Sequence, residues 1–127
     1  MDTGGRQAWK TVYYKSAAGN VPVKEFIETQ SVEARGAIFE DLRQLREVNV
    51  RLGAPRVRKL EGRDFWELRT RVAGNVYRTF YFAHVGRKFV LLHAFQKKSR
   101  RTPVRELDTA EARMRDYLER NRKRRKR

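Results

Sequence analysis

The spacing of apolar residues predicts a strand and two helices in the first half of the chain. Residues 9–14 are typical of a strand because aromatic and β-branched residues follow one another there. After a turn over residues 16–20, Pro22 suits the first position of a short helix. The apolar side chains of this helix recur at helical spacing, and they are Val23, Phe26 and Ile27.

A second, longer helix is predicted directly after the first. Ser31 can cap its N-terminus, and Glu33 suits the positive end of the helix dipole. Gly53 and Pro55 are expected to end this helix. Its apolar stripe consists of Ile38, Leu42 and Leu45, with Phe39 beside them.

Three strand-like runs occupy the second half of the chain, at residues 65–72, 76–83 and 88–96. The first connection contains Gly74-Asn75, which is a signal for a two-residue hairpin turn. The second connection contains Val85-Gly86. The spacing therefore predicts three consecutive antiparallel strands.

A last helix follows, which Thr102 can cap and Pro103 can open. Its apolar side consists of Leu107, Ala110, Met114, Tyr117 and Leu118. The order β-α-α-β-β-β-α predicts one α+β domain over residues 1–121, with a small, mainly antiparallel, twisted sheet packed against helices.

If both connections are two-residue turns, alternate side chains of the three strands share a face. In that register Arg78 stands opposite Arg71 on one neighbouring strand and opposite His93 on the other, and Arg69 stands opposite Phe80. One face then carries Arg69, Arg71, Arg78, His93, Phe95 and Lys97, with Glu67 near the edge. The other face carries Trp66, Leu68, Tyr77, Tyr81, Val90 and Leu92.

A three-residue loop over residues 73–75 is the alternative to the first turn. It would move Arg78 to the face of Leu68, because a slip of one residue inverts every side chain of a strand.

The charge of the chain points to a phosphate-rich partner. The formal net charge is +16, and charged residues make up 36% of the sequence. Residues 122–127 are all basic and are predicted to form a disordered tail that strengthens binding to polyanions. Without these six charges the balance is still +10, so the predicted domain is basic in its own right. RNA is the partner that such a surface suits best.

Several classes of protein are excluded or disfavoured by composition. The chain has no cysteine, so disulfide frameworks and zinc–thiolate sites are excluded. No apolar run approaches the roughly 20 residues of a membrane span. The first residues lack the basic and then apolar pattern of a signal peptide, so a cytoplasmic location is expected.

Short sequences along the predicted strands resemble those of a known toxin superfamily. They are Lys59-Leu60, Phe65-Trp66-Glu67-Leu68-Arg69, Tyr77-Arg78, and Phe95-Gln96-Lys97-Lys98 followed by Thr102-Pro103. In their order and spacing, residues 12–118 resemble the RelE/ParE toxin superfamily, and most of all its HigB-like, phage-derived branch. The resemblance implies a RelE-like fold and the toxin of a type II toxin–antitoxin system.

Toxins of this kind typically cut mRNA in the ribosomal A site, without a metal or another cofactor. The resemblance therefore implies a ribosome-dependent mRNA endonuclease whose partners are mRNA and the ribosome. It also implies a cognate antitoxin, which in the HigB-like branch usually contains a helix-turn-helix domain. Contact with operator DNA is expected only through the antitoxin complex.

By motif position, Arg69 or Arg71 corresponds to a basic residue on the second strand of the family. Arg78 corresponds to the arginine of its Tyr-Arg pair, and Lys97 or Lys98 to the basic residue after its last strand. Some members add a tyrosine or histidine near the C-terminus. This chain has neither between Lys98 and the tyrosine at position 117, which lies on the predicted helix stripe.

These residues suit cleavage of RNA through its own 2′-hydroxyl. The three arginines on the basic face can clamp the scissile phosphate, since guanidinium groups match phosphate oxygens. His93 is the natural candidate for the base, and Lys97 or Lys98 could serve if neighbouring arginines lowered its pKa. Phe95 could stack on a base. Further contacts to RNA are expected from Arg100 and Arg101.

Other interpretations of the same residues stay open. His93 could instead be a packed, hydrogen-bonded histidine, and Glu67 could orient Arg69 or Arg71 or form an exposed ion pair. His84 is expected to be exposed and uninvolved, and Trp66 and Tyr81 are expected in the core.

At the level of function, the alternatives are a ParE-like inhibitor of DNA gyrase and a non-catalytic RNA- or ribosome-binding domain. For the nuclease, Arg78→Ala is predicted to abolish toxicity and to leave the fold intact.

Overall fold

The structure is a computed structural model that describes residues 8–48, 56–98 and 100–125. This part of the chain contains five strands and three helices. In chain order they are β1 (Lys10–Tyr13), α1 (Pro22–Glu28), α2 (Val32–Val48), β2 (Val57–Lys59), β3 (Trp66–Val72), β4 (Asn75–His84), β5 (Lys88–Lys97) and α3 (Val104–Arg125). The predicted α+β class is confirmed, and β2 is an additional strand that the sequence analysis missed.

The strands form one sheet in the order β1-β5-β4-β3-β2. β1 runs parallel to β5, whereas the other pairs of neighbours are antiparallel. Antiparallel neighbours can be joined by a short turn, whereas parallel neighbours need a long crossover connection. The chain between β1 and β5 is long enough for such a crossover, because it contains α1 and α2. The expectation of a mainly antiparallel sheet is confirmed.

Each face of the sheet is covered by different helices. Helices α1 and α2 pack on one face, in a core that includes Val23, Ile27, Ile38, Leu42, Leu45, Leu68, Tyr77 and Tyr81. Helix α3 packs on the other face, in a core that includes Leu60, Phe65, Phe80, Phe82, Val90, Leu92, Phe95, Ala110 and Met114. Val90 and Leu92 therefore lie on the face opposite to the predicted one.

The turn between β3 and β4 lies one residue earlier than predicted. Val72 pairs with Asn75, so Ala73 and Gly74 form the turn rather than Gly74 and Asn75. Both turn residues have positive φ, 51° and 80°, which a type I′ hairpin turn requires. The register moves by two residues, which preserves the face of every side chain. The alternative of a three-residue loop is wrong.

As a result, Arg69 stands opposite Arg78, and Glu67 stands opposite Phe80. The predicted pairs of Arg71 with Arg78 and of Arg69 with Phe80 are wrong, although the predicted sharing of a face is correct.

The connection between β4 and β5 contains two irregularities that offset each other. His84 pairs with Lys88, so the loop has three residues, 85–87, instead of the predicted two. A bulge then follows, because Tyr81 pairs with Leu91 and Phe80 pairs with His93, which leaves Leu92 without an opposite residue. The longer loop places the side chains of β5 before the bulge on the face opposite to the predicted one. The bulge inverts the faces again, so that the side chains after it lie on the predicted face. Beyond the bulge, Phe95 rather than the predicted His93 stands opposite Arg78.

The structure describes the predicted starts of α2 and α3 but not the predicted end of α2. Ser31 Oγ accepts a hydrogen bond of 3.1 Å from the backbone N–H of Ala34, so the predicted cap of α2 is confirmed. Gly53 and Pro55, predicted to end α2, lie outside the described residues. Thr102, the predicted cap of α3, accepts a hydrogen bond from the Arg78 guanidinium at its Oγ1.

Helix α3 continues to Arg125, although the sequence predicts a disordered tail from position 122 onward. Glu119 pairs with Arg122 at 2.8 Å and lies 3.9 Å from Lys123, and such pairs one turn apart favour the helix. The last two residues, 126 and 127, lie outside the described residues.

Two aromatic predictions differ from the structure. Trp66 is 38% exposed rather than in the core, at the edge of the sheet where β2 is only three residues long. His84 packs against Phe82 and Tyr117, with ring centroids 5.8 and 5.3 Å away, so it is half-buried rather than exposed as expected. Tyr81 is buried, as predicted.

In the described ranges, no helix combines the length and the apolar character that a membrane span needs.

Candidate functional site

The basic face of the sheet is organised in three rows that run across β3, β4 and β5. Directly opposed residues share a face, so each row brings three side chains together. The rows are Arg71–Val76–Lys97, Arg69–Arg78–Phe95 and Glu67–Phe80–His93. The structure thus gathers all six residues predicted for this face, on the side of the sheet that α3 covers.

Glu67 and Arg78 form an ion pair inside the sheet face. Arg78 Nε lies 2.8 Å from Glu67 Oε2, and the two side chains are 5% and 0% exposed. Neither of these two atoms has a hydrogen-bond partner of good geometry in the described part of the chain, so the contact is an ion pair rather than a linear hydrogen bond. Arg58 Nε donates to the other oxygen, Oε1, at 3.2 Å. Glu67 therefore pairs with Arg78 and Arg58 rather than with Arg69 or Arg71, and the alternative of an exposed ion pair is also wrong because the carboxylate is buried. Its strand β3 lies beside the edge strand β2, which agrees with the predicted position near the edge.

Arg78, which the sequence predicts as one of three arginines that clamp a phosphate, is buried. Burial lowers its pKa, Glu67 raises it, and Arg58 and Arg69 lower it further. The group remains charged, because arginine is not deprotonated in proteins. Its guanidinium also donates to Thr102 Oγ1, which ties the sheet to the segment before α3. Arg78 is thus held in place by groups from two other parts of the chain.

Lys97 lies in the row next to Arg78, at the end of β5. Partial burial lowers its pKa, and the nearby charges of Arg78 and Arg69 lower it further against the opposing effect of Glu67. A lysine ammonium with a lowered pKa releases its proton more readily than an ordinary one. The structure therefore supplies the electrostatic condition that the sequence analysis required of this lysine.

A cavity of about 250 Å³ lies between the end of β5 and the start of α3. It is lined by Phe95, Gln96, Lys97, Lys98, Arg101, Pro103, Arg105 and Glu106. Four residues predicted for the site thus meet around one cavity. Arg100 is exposed in the segment before α3, and Arg71 is exposed on the sheet face.

His93 has a partner at each ring nitrogen. Nε2 lies 2.5 Å from Glu106 Oε1, and Nδ1 lies 3.1 Å from Arg113 Nη1, which also donates to the Leu92 carbonyl at 2.9 Å. Because a guanidinium only donates, Nδ1 must accept, and the network assigns the proton to Nε2. Burial lowers the pKa of His93, and the hydrogen bond to Glu106 opposes this shift. Of the two interpretations of His93, a catalytic base or a packed, hydrogen-bonded histidine, the structure shows the second.

The sequence analysis missed Arg58, Glu106 and Arg113 as members of this region. Glu106 lies 13 positions after His93 in sequence, so no local pattern links the two residues. Its place in the first turn of α3 suits the helix dipole, and the sequence analysis assigned it no role. The alternation of side chains along β3 correctly placed Glu67 on the basic face. It could not predict that Arg78 is the partner of Glu67.

Within residues 8–48, 56–98 and 100–125, no group of three or more His, Asp or Glu side chains could hold a metal ion.

Comparison with protein families gives one match. The model of a family described as "Phage derived protein Gp49-like (DUF891)" matches residues 25–115, which is well over half of the chain and includes most of the basic face and the start of α3. No curated protein matches the sequence significantly.

Proposed function

This chain belongs to the Gp49-like family of phage-derived proteins, part of the RelE/HigB-type toxin group, and from this premise we propose that it is the toxin of a type II toxin–antitoxin system that cuts mRNA on the ribosome. The observation that carries the nuclease proposal is the row of Arg69, Arg78 and Phe95 beside Lys97. A RelE-like fold is part of the same proposal, and the order of strands and helices supports it.

The proposed reaction uses the 2′-hydroxyl of the RNA as its nucleophile. Negative charge builds up on the phosphate as the new bond forms, and fixed positive groups stabilise it because they need no rearrangement. Arg69 is half-buried on the face, and together with Lys97 it would contact the phosphate. Arg78 would act through its charge rather than by direct contact, since its side chain is only 5% exposed and is held by the ion pair with Glu67 and the hydrogen bond to Thr102.

Lys97 is the proposed donor of a proton to the leaving 5′-oxygen. Its lowered pKa, which partial burial and two arginines cause, makes its ammonium a stronger acid. Phe95 lines the cavity beside it and would stack on an unpaired base next to the cut. Lys98, Arg100 and Arg101 would contact neighbouring phosphates.

The proposed partners follow from the toxin assignment. They are mRNA within the ribosome and a cognate antitoxin with a helix-turn-helix domain, through which alone operator DNA would be contacted. The excess of positive charge supports a partner that is RNA, and it equally suits an acidic segment of the antitoxin.

The test is to express the chain without its partner and to map the 5′ ends of cellular mRNA. We expect growth arrest with cuts inside codons that occupy the ribosomal A site. Lys97→Met should remove the cuts, whereas Lys88→Met, at the other end of the same strand, should leave them unchanged. Growth arrest with gyrase-dependent DNA breaks would favour the ParE-like alternative, and the absence of toxicity would favour a non-catalytic RNA-binding domain.

A further inference from the structure

Glu106 is the one carboxylate among the residues that line the cavity beside Lys97. It stands in the first turn of α3, and its side chain is 18% exposed. The rest of the charged lining is basic: Lys97, Lys98, Arg101 and Arg105. A single carboxylate in a cationic cavity differs chemically from every group around it, because it can accept a proton.

A chain of two further residues holds this carboxylate from behind. Arg113 donates to Nδ1 of His93, which fixes the ring proton on Nε2, and Nε2 lies 2.5 Å from Glu106 Oε1. The other carboxylate oxygen, Oε2, lies 3.9 Å from Nε of Arg105, which is beyond hydrogen-bond distance. One oxygen is thereby fixed by a neutral donor that cannot reorient freely.

We propose that Glu106 is the general base that removes the proton of the RNA 2′-hydroxyl, with His93 as its positioning residue. This inference rests on the proposed function. His93 is a poor candidate for the base itself because both of its ring nitrogens have partners. Lys97 carries the opposite role, since an ammonium donates its proton before it can accept one.

The proton and electron balance of the step is complete with these two groups. Glu106 takes the 2′-hydroxyl proton, and the 2′-oxygen forms a bond to phosphorus. The bond from phosphorus to the 5′-oxygen breaks, and the electron pair stays on that oxygen, which takes a proton from the Lys97 ammonium. The products are a 2′,3′-cyclic phosphate and a 5′-hydroxyl end. Solvent then returns the proton from Glu106 to Lys97.

The competing interpretation is that Glu106 and His93 only dock α3 onto the sheet. The substitution Glu106→Gln separates the two, because a glutamine oxygen still accepts the hydrogen bond from His93 Nε2 but cannot take up the proton. A docking role predicts little change in cleavage, whereas a general base predicts a large loss.

The experiment measures single-turnover cleavage of a defined mRNA on programmed ribosomes, at a temperature where circular dichroism shows each variant fully folded. We expect Glu106→Gln to lower the rate by about 10²-fold or more. The matched control is Glu111→Gln, in the same helix and similarly exposed, which pairs with Arg63 and Arg115 at another cavity and should cleave like the wild type.

Arg69→Ala makes the two possible failures distinguishable. If Arg69→Ala is inactive and Glu106→Gln cleaves at the wild-type rate, the inference is wrong and the proposed function stands. If the wild type does not cleave, the proposed function fails and the inference fails with it. If Arg69→Ala and Glu106→Gln both cleave normally, the chain is a nuclease whose site lies elsewhere, and both the inference and the assignment of Arg69 are wrong.

The positioning role of His93 is tested by a double-mutant cycle. His93→Gln should slow cleavage in the wild-type background and have no further effect in the Glu106→Gln background, because it acts through that carboxylate. A merely structural role would lower the rate by the same factor in both backgrounds, and that result would remove His93 from the mechanism.

Discussion

Glu67 and Arg78 lie on neighbouring strands and are paired at 2.8 Å where solvent hardly reaches either side chain. Arg78 stands opposite the like-charged Arg69, so Glu67 provides the negative charge that makes this row of the sheet tolerable. The pair therefore belongs both to the stability of the fold and to the electrostatics of the candidate site.

Glu67→Ala is expected to destabilise the protein strongly. It would leave the buried Arg78 without its counter-ion, and removal of one member of a buried pair typically costs about 3–5 kcal/mol. The free energy of unfolding, measured by chemical denaturation, checks this. The double variant Glu67→Leu with Arg78→Met should recover much of the loss, because it leaves no unpaired charge; a double variant as unstable as Glu67→Ala would contradict the expectation.

For the same reason, Arg78→Ala should lower stability as well as toxicity. It would leave a fully buried carboxylate with only the exposed Arg58 as its partner. The sequence-based expectation that this variant keeps its fold intact is therefore revised, and Arg69→Ala is the cleaner test of the site.

Arg69→Ala is expected to reduce activity without reducing stability. Removal of a guanidinium that faces Arg78 relieves like-charge repulsion, so stability should be unchanged or higher by about 0.2–1 kcal/mol. Loss of a well-placed cation at the phosphate should lower the cleavage rate by about 10²–10³-fold. Denaturation curves and single-turnover rates on the same preparation check both halves. A variant that loses stability and activity together would mean that Arg69 is structural.

The pH dependence of cleavage should report on Lys97. If its ammonium donates the proton, the rate falls as the pH rises through its pKa, which partial burial, Arg78 and Arg69 together lower. Arg69→Ala removes one cause of this shift, so the pKa of Lys97 should rise and the alkaline fall in rate should move to higher pH. A rate profile that keeps the same alkaline limb in this variant would exclude Lys97 as the donor.

His93 should make the protein less stable in acid. Burial lowers its pKa below the ordinary value of 6.5, so the unfolded chain binds a proton that the folded chain does not. Stability should then fall as the pH drops below about 6.5, until the pKa of the folded state is reached. His93→Gln should flatten this part of the curve of unfolding free energy against pH. His84→Gln is the histidine control and should leave the slope that His93 causes in place.

Ala73→Asn should stabilise the turn between β3 and β4. Ala73 has φ 51°, a conformation that costs alanine about 1–2 kcal/mol and that asparagine tolerates better. Asn-Gly is also the favoured sequence for a type I′ turn. An increase of up to about 1 kcal/mol in the free energy of unfolding is expected. Asn75→Ala, just outside the turn, should have little effect, and the reverse ranking would favour the turn at positions 74 and 75.

Much of the architecture was readable from local pattern. The spacing of apolar residues located all three helices and the strands β1, β3, β4 and β5, because each of these elements buries a periodic face. β2 was missed because a three-residue edge strand has too little sequence to show alternation. The grouping of Arg69 with Arg78 was correct because the register of β3 and β4 moved by an even number of residues. Lys97 shares their face because the bulge in β5 offsets the longer loop before it.

The depth of each site residue could not be read in the same way. Arg78 is buried because α3 and the segment before it close over one end of the sheet, and no local pattern in β4 records that closure. The contact of Glu106 with His93 has the same origin, since it joins α3 to β5 through tertiary packing. The sequence therefore indicated which residues share a face, and the packing of α3 decided which of them are accessible to solvent.

The loop at residues 85–87 and the bulge at Leu92 each shift the register of β5 by one residue, and the second shift restores the face that the first one inverts. Deletion of one loop residue alone would turn His93, Phe95 and Lys97 away from Arg78 and toward α1 and α2, unless the bulge were lost in the same event. Relatives that keep the basic face should therefore gain or lose these two irregularities together, and the length of this hairpin becomes a marker of whether a distant relative has retained the site.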